Sequence, residues 1–227
     1  MLEGLQVVGL ARRVEMIQEI ADQLIDKSGK LYARKCDVTI PEEIILNFKW
    51  IKDTLGPVHI LINNAGYIKA ESILEGNPST WKTIMDTHLL ASTLCSKEAI
   101  AQMRESNIAG HVILMNGILG HRITEQRLPI MNIYPCAKYG LTALQELLTQ
   151  ELRYFGTKIK ISTMSPGLVH KTEIFVNGNI TFLKPELCEK FPHLLPEDVT
   201  NGIVYMLSTP PHVQVYELIL KPVGELF

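Results

Sequence analysis

Apolar positions along the chain fall into short runs that alternate with longer amphipathic stretches. The run LQVVGL at 5–10 is short and β-branched, and predicts a buried strand. Over 13–27, Val14, Ile17, Ile20, Ala21, Leu24 and Ile25 repeat at helical spacing until Ser28-Gly29 stop the pattern. A strand is predicted at 30–36 and a helix from Pro41 to Leu55, entered by proline and ended by Gly56-Pro57. The pattern continues as strand 58–62, helix 78–106, strand 111–115, helix 133–155, strand 158–164, helix 196–208 and strand 213–220. Such alternation predicts an α/β fold with a mostly parallel sheet covered on both faces. No linker, repeat or low-complexity tract interrupts it, so residues 1–227 read as one domain.

Composition narrows the class. Hydrophobic residues make up 46% and charged residues 20%, which excludes a disordered or collagenous chain. A net charge of −2 gives no electrostatic case for nucleic acid. No apolar run reaches the ~18–20 residues of a membrane span, so none is expected. The N-terminus lacks the basic lead of a signal peptide. Cys36, Cys95, Cys136 and Cys188 are far apart and form no CxxC pair, as in a reduced, cytoplasmic protein. The histidines show no HExxH spacing, and no metal is expected.

In sheets of this kind, ligands bind beyond the carboxyl ends of the strands. Tyr134 and Lys138 open the helix at 133–155, one turn apart and on one face. An ammonium beside a phenol lowers the phenol's pKa, and the pair can then move a proton to or from an alcohol or carbonyl oxygen. The same spacing also describes a buried aromatic and a solvated lysine. Asn63-Asn64-Ala65-Gly66 follow the strand at 58–62, where small residues let a flat ligand approach backbone, or simply make a turn. Arg12 and Arg13 follow the strand at 5–10. In a dinucleotide fold the residue after the second strand meets the ribose 2′ position, where arginine accommodates the phosphate of NADP, although such charges also mark a solvated loop end. Asp37, after the second strand, could accept from an adenine amine. Ser165-Pro166-Gly167 and Thr172 could flank a nicotinamide, or form a turn and the loop beyond it.

Taken in order, NNAG at 63–66, YxxxK at 134–138 and PG at 166–167 resemble the short-chain dehydrogenase/reductase family. The resemblance spans essentially the whole chain and includes CDVT (36–39), GHVILMN (110–116), CAKYGLTAL (136–144) and the tail PEDV…YMLSTPPHVQV (196–215). Gly120-His121 and the STPPHVQV tail look most like the branch of dehydrogenase/reductase member 11 and insect farnesol dehydrogenase-like proteins. The resemblance implies a Rossmann-like, doubly wound parallel sheet that binds NAD(P)(H) and interconverts alcohols and carbonyls. It makes Tyr134 the catalytic acid/base, with Lys138 binding the nicotinamide ribose and tuning Tyr134. Arg12 and Arg13 would favour NADP(H), and Asp37 would meet adenine. Asn63, with Ala65 and Gly66, would lie along the adenine-ribose side. Pro166, Gly167 and Thr172 would line the nicotinamide.

Three departures are visible. The family's glycine-rich turn TGxxxGxG is not found, so the strand at 5–10 corresponds to a second strand and the sheet is expected to lack its first strand and first helix, a unit of ~30 residues. That leaves two options: a strand-wide gap beside the strand at 58–62, or direct pairing of residues 5–10 with it. The family's catalytic serine corresponds to Gly117, for which Thr124 is a candidate stand-in. Asn116, next to it, should point to the opposite side. The family's asparagine of a water-borne proton relay corresponds to His88, which could relay protons near pH 6.5.

Two functions therefore compete. One is an NADP(H)-dependent oxidoreductase acting on a small hydrophobic alcohol or carbonyl substrate. The other is a catalytically inactive relative serving as a binding or dimerisation module. The segment 171–193, with Ile174, Phe175, Val176, Ile180, Phe182 and Leu183, is the expected apolar substrate wall, although such side chains also pack on cores. The long helices at 78–106 and 133–155 correspond to the family's subunit interface, which implies a homodimer or homotetramer.

Overall fold

The computed structural model describes residues 4–123, 130–180 and 190–225. Strand β1 (Gln6–Ala11), helix α1 (Val14–Gln23) and strand β2 (Lys30–Lys35) come first. Helix α2 (Pro41–Leu55) matches its predicted span. Pro41 has no N–H to leave unpaired, Glu42 and Glu43 face the positive end of the helix, and Gly56 leaves it at φ +97°. Strand β3 (Ile60–Asn63) leads to α3 (Pro78–Met85), a π turn (Asp86–Leu90) and α4 (Ala91–Glu105). The sequence predicted these last three as one helix. A single widened turn inside a helix re-aims one residue, here His88. Strand β4 (His111–Met115), a 3₁₀ turn (Ile118–Gly120), α5 (Tyr134–Tyr154), β5 (Lys160–Pro166), a helical turn α6 (Ile174–Asn177), α7 (Pro196–Ser208) and β6 (Glu217–Leu220) complete the order.

The last strand is shorter than the predicted 213–220. Side chains take over there: Lys160 Nζ donates to the carbonyl of Val213 (2.6 Å), Ser162 Oγ to that of Val215 (2.6 Å) and Gln214 Nε2 to that of Ile161. Backbone laddering starts only when Thr163 N donates to Tyr216 O.

All strands are parallel, but in two sheets: β1-β2, and β3-β4-β5-β6 in that order. Direct pairing of β1 with β3, one of the two expected alternatives, does not occur. Neither facing edge has a strand partner among the described residues. Ile60 and Ile62 of β3 are accordingly exposed, whereas His111 to Leu114 of β4 are buried. The period-2 alternation of β4 and β5 separates two cores. Val112, Leu114 and Ile161 pack with α2, α4 and α5, and Ile113 and Met164 with Val199 and Met206 of α7. Helices therefore cover both faces of the larger sheet. No helix among the described residues is long and apolar enough to cross a membrane.

Candidate active site

The start of α5 is built by Asn132. At φ +39° its side chain turns back, with Oδ1 accepting from Tyr134 N (3.0 Å) and Nδ2 donating to Lys69 O (2.6 Å). It satisfies a helix-end donor and ties the helix to the segment after β3. Sequence reading missed Asn132, although an asparagine two residues before a helical Tyr-Pro carries a capping signal. Asn132→Ala should lower stability by about 1–2 kcal/mol. Thermal melts check this, and an unchanged Tm would remove the cap from the account.

Tyr134, Lys138 and Thr142 lie on one face of α5. Lys138 is buried, and its Nζ donates to Met115 O (2.8 Å) at the end of β4, 5.5 Å from the centre of the Tyr134 ring. Burial pushes Lys138 down to about 7 and Tyr134 above the ordinary phenol value. This corrects the expectation that the lysine lowers the phenol's pKa: desolvation dominates, and the ammonium is spent on a carbonyl.

His88 stands edge-on to Tyr134, with ring centres 5.1 Å apart. Its Nε2 accepts from Tyr67 N (3.0 Å) and lies 2.8 Å from Tyr67 O. Burial, helped by Lys138, pushes His88 down to about 3. It is therefore neutral at physiological pH, and a charged relay near pH 6.5 is not what the fold supports.

Gly117 has φ +157° and ψ 166°, a region essentially restricted to glycine. Asn116 points away from it, as expected from strand alternation. Its Nδ2 donates to Thr142 Oγ1 (2.9 Å), which in turn donates to Gly120 O (3.0 Å), and its Oδ1 is buried without a partner among the described residues. Thr124 lies outside the described residues, as do Phe182, Leu183 and Cys188.

Pro166 ends β5, and Gly167 N donates to Leu220 O (2.7 Å). The Thr172 hydroxyl is buried with no hydrogen-bond partner among the described residues. Such an orphan suits a ligand that carries its own acceptor or donor, as a nicotinamide carboxamide does. Ala65 and Gly66 lie in an exposed loop, and a Cβ on Gly66 would meet His88 (3.2 Å) and Ile174 (3.5 Å). The α6 segment thus folds over the loop after β3. Ile180 is fully buried, so it packs the core instead of lining a substrate wall.

The polar residues around β1 and β2 are partly committed. Arg13 pairs with Glu173 beside α6, while Arg12 is exposed. Asp37 Oδ1 accepts from Thr39 N (2.9 Å) and Oγ1 (2.7 Å). Burial works to raise the Asp37 pKa, but those bonds and Arg12 hold it below its ordinary value. Asn63 Nδ2 donates to Ser96 Oγ (3.1 Å), bracing β3 on α4. The Arg12-Arg13 turn between β1 and α1 carries no glycine, which agrees with β1 as a second strand and not as the strand before a glycine-rich turn. The orphaned Thr172 hydroxyl and the Lys138 site fit the nicotinamide half of a dinucleotide.

A sequence profile described as short chain dehydrogenase matches residues 1–180. The chain is 38% identical to farnesol dehydrogenase of Aedes aegypti over 228 residues, covering 99% of this chain and 88% of that protein. It is 36% identical to dehydrogenase/reductase SDR family member 11 of Homo sapiens over 231 residues, covering 99% and 87%. Among solved structures, the closed form of serine dehydrogenase complexed with NADP+ superposes with a TM-score of 0.83 at 24% identity, covering 98% of this chain and 87% of that one. The alcohol dehydrogenase of the archaeon Thermococcus sibiricus complexed with 5-hydroxy-NADP gives 0.82 at 20%, covering 95% and 85%. The parallel sheet, the Tyr134–Lys138 pair at the ends of its strands and these likenesses agree: the chain belongs to the short-chain dehydrogenase family.

Proposed function

We propose that this chain is an NADP(H)-dependent oxidoreductase that interconverts an alcohol and a carbonyl on a small hydrophobic substrate. The observation that carries the reading is the Tyr134–Lys138 pair, locked beside the end of β4 by the Met115 carbonyl. A bound nicotinamide supplies or accepts hydride. Tyr134, kept protonated by burial, donates its phenolic proton to the carbonyl oxygen in the reductive direction and takes it back in the oxidative one. Lys138 would hold the adjoining ribose. Thr172, Pro166 and Gly167 would flank the ring. Exposed Arg12 would favour a 2′-phosphate, with Arg13 first having to leave Glu173, and Asp37 would meet adenine through its second oxygen. Asn63, Ala65 and Gly66 would border the adenine ribose. Half-buried Ile174 and Phe175 favour an apolar substrate, and the farnesol dehydrogenase likeness supports it. The same reading includes a homodimer or homotetramer, for which the exposed Leu90, Leu147 and Tyr154 along the long helices offer apolar surface.

Two observations favour a second reading, an inactive binding or dimerisation module: the glycine at 117 and the neutral, backbone-bound His88. NADPH oxidation with a panel of apolar aldehydes and ketones separates the two. Nucleotide binding without turnover selects the module.

Gly117→Ser sharpens the test. A Cβ there would lie 3.5 Å from Pro166 O, an ordinary contact, but the backbone must leave a glycine-only region. Gly117→Ala and Gly117→Ser should therefore both lose about 1–3 kcal/mol of stability. Only the serine should raise turnover, by roughly 10²-fold, because it adds a donor to the developing oxyanion. Equal rates for the two variants would show that the hydroxyl is not the missing element.

A further inference from the structure

We propose that Glu225 is a positioning residue for the turn after β5, the turn that would face a nicotinamide ring; the proposal rests on the cofactor reading above. Pro166 has no N–H, so the first backbone donors beyond the strand are those of Gly167 and Leu168. Both are taken by the chain that follows α7. Gly167 N donates to Leu220 O (2.7 Å), and Leu168 N donates to Glu225 Oε1 (2.8 Å). The carboxylate also lies against Gly167: a Cβ built there would sit 2.4 Å from Oε2 and 2.6 Å from Oε1. A side chain at position 167 would therefore have to displace the Glu225 carboxylate.

The Glu225 side chain is 2% exposed, and Lys221 Nζ lies 3.7 Å from Oε2. Oε2 has no hydrogen-bond partner among the described residues. Burying a carboxylate is expensive, and an apolar side chain could fill this space without that penalty. What an apolar side chain could not do is hold the Leu168 amide. By claiming that amide, Glu225 fixes the backbone that leads to the orphaned Thr172 hydroxyl.

The test measures binding of NADP+ and of 2′-phospho-ADP-ribose, which lacks the nicotinamide, by calorimetry. The proteins are the full chain, Glu225→Ala, Glu225→Gln and the double variant Glu225→Ala/Gly167→Ala. Glu225→Ala should weaken NADP+ about 10-fold and leave 2′-phospho-ADP-ribose within about 2-fold. Glu225→Gln, which keeps an acceptor, should recover most of the loss. Gly167→Ala alone should be less stable than in the double variant, where the colliding carboxylate is gone. Hydrogen exchange at the Leu168 amide should quicken in Glu225→Ala. Equal weakening of both nucleotides, or no change in NADP+ binding, overturns the proposal. Failure of the unaltered chain to bind either nucleotide overturns the cofactor reading instead, a distinct result.

Discussion

Replacing Tyr134 with phenylalanine is expected to lower kcat for carbonyl reduction by about 10²–10⁴-fold, the usual contribution of a positioned acid. Packing should survive, because phenylalanine keeps the ring that stands edge-on to His88 and the Asn132 cap binds only backbone. A Tm within about 2 °C of the parent and unchanged NADPH affinity would assign the loss to the proton. The pH profile adds an independent check. Burial holds the Tyr134 phenol protonated well above neutrality. Its role as proton donor in reduction should therefore not change through the neutral range, where any pH dependence reports Lys138, whereas alcohol oxidation, which needs the phenolate, should accelerate as the medium turns alkaline. Retention of full reductase activity in Tyr134→Phe would remove this residue from the mechanism.

Lys138→Met should weaken NADPH binding by about 10–100-fold, the loss of hydrogen bonds from a charged donor. It should also remove this position's contribution to the protein's pH–stability relation. Folding lowers the lysine from 10.5 to about 7. Between those values the unfolded chain binds more protons than the folded one, so this group's contribution to stability rises with pH across that window. Below about pH 7 the full penalty of burying the cation is present. Methionine carries no such penalty and forgoes only the bond to the Met115 carbonyl. The variant should therefore gain in Tm over the parent by several degrees near pH 6, with the gain fading toward pH 10. A difference in Tm that does not vary with pH would mean that Lys138 is not titrating in a desolvated site.

Helices α2 and α7 were legible to the residue because each opens on a proline followed by acidic residues and carries apolar positions at helical spacing. Strand β4 was legible because its apolar run is bounded by glycine and by the polar Asn116. Motif order left the strand at 5–10 either apart from the strand at 58–62 or paired with it, and only the structure shows β1-β2 as a separate sheet. What periodicity could not express was tertiary. The π turn at His88 preserves the apolar spacing on either side of it, so the stretch reads as one helix. The start of β6 is displaced by side chains of β5 that reach across to its carbonyls.

At the site, the positions of Tyr134 and Lys138 were readable but their electrostatics were not. Spacing predicted that an ammonium would lower the phenol, whereas burial of both groups shifts them the other way. Asn132 and Glu225 were missed for a related reason. Their importance lies in which backbone amides they satisfy, and for Glu225 the partner amide is 57 residues distant in sequence.

Titration of the protein with NADPH, followed by the fluorescence of the bound nicotinamide, decides whether α5 borders a nicotinamide site. Saturable binding at micromolar concentration, weakened about 10-fold or more by Lys138→Met, is the result expected of a nicotinamide site beside α5. No saturation up to millimolar NADPH, or binding indifferent to Lys138, would contradict it.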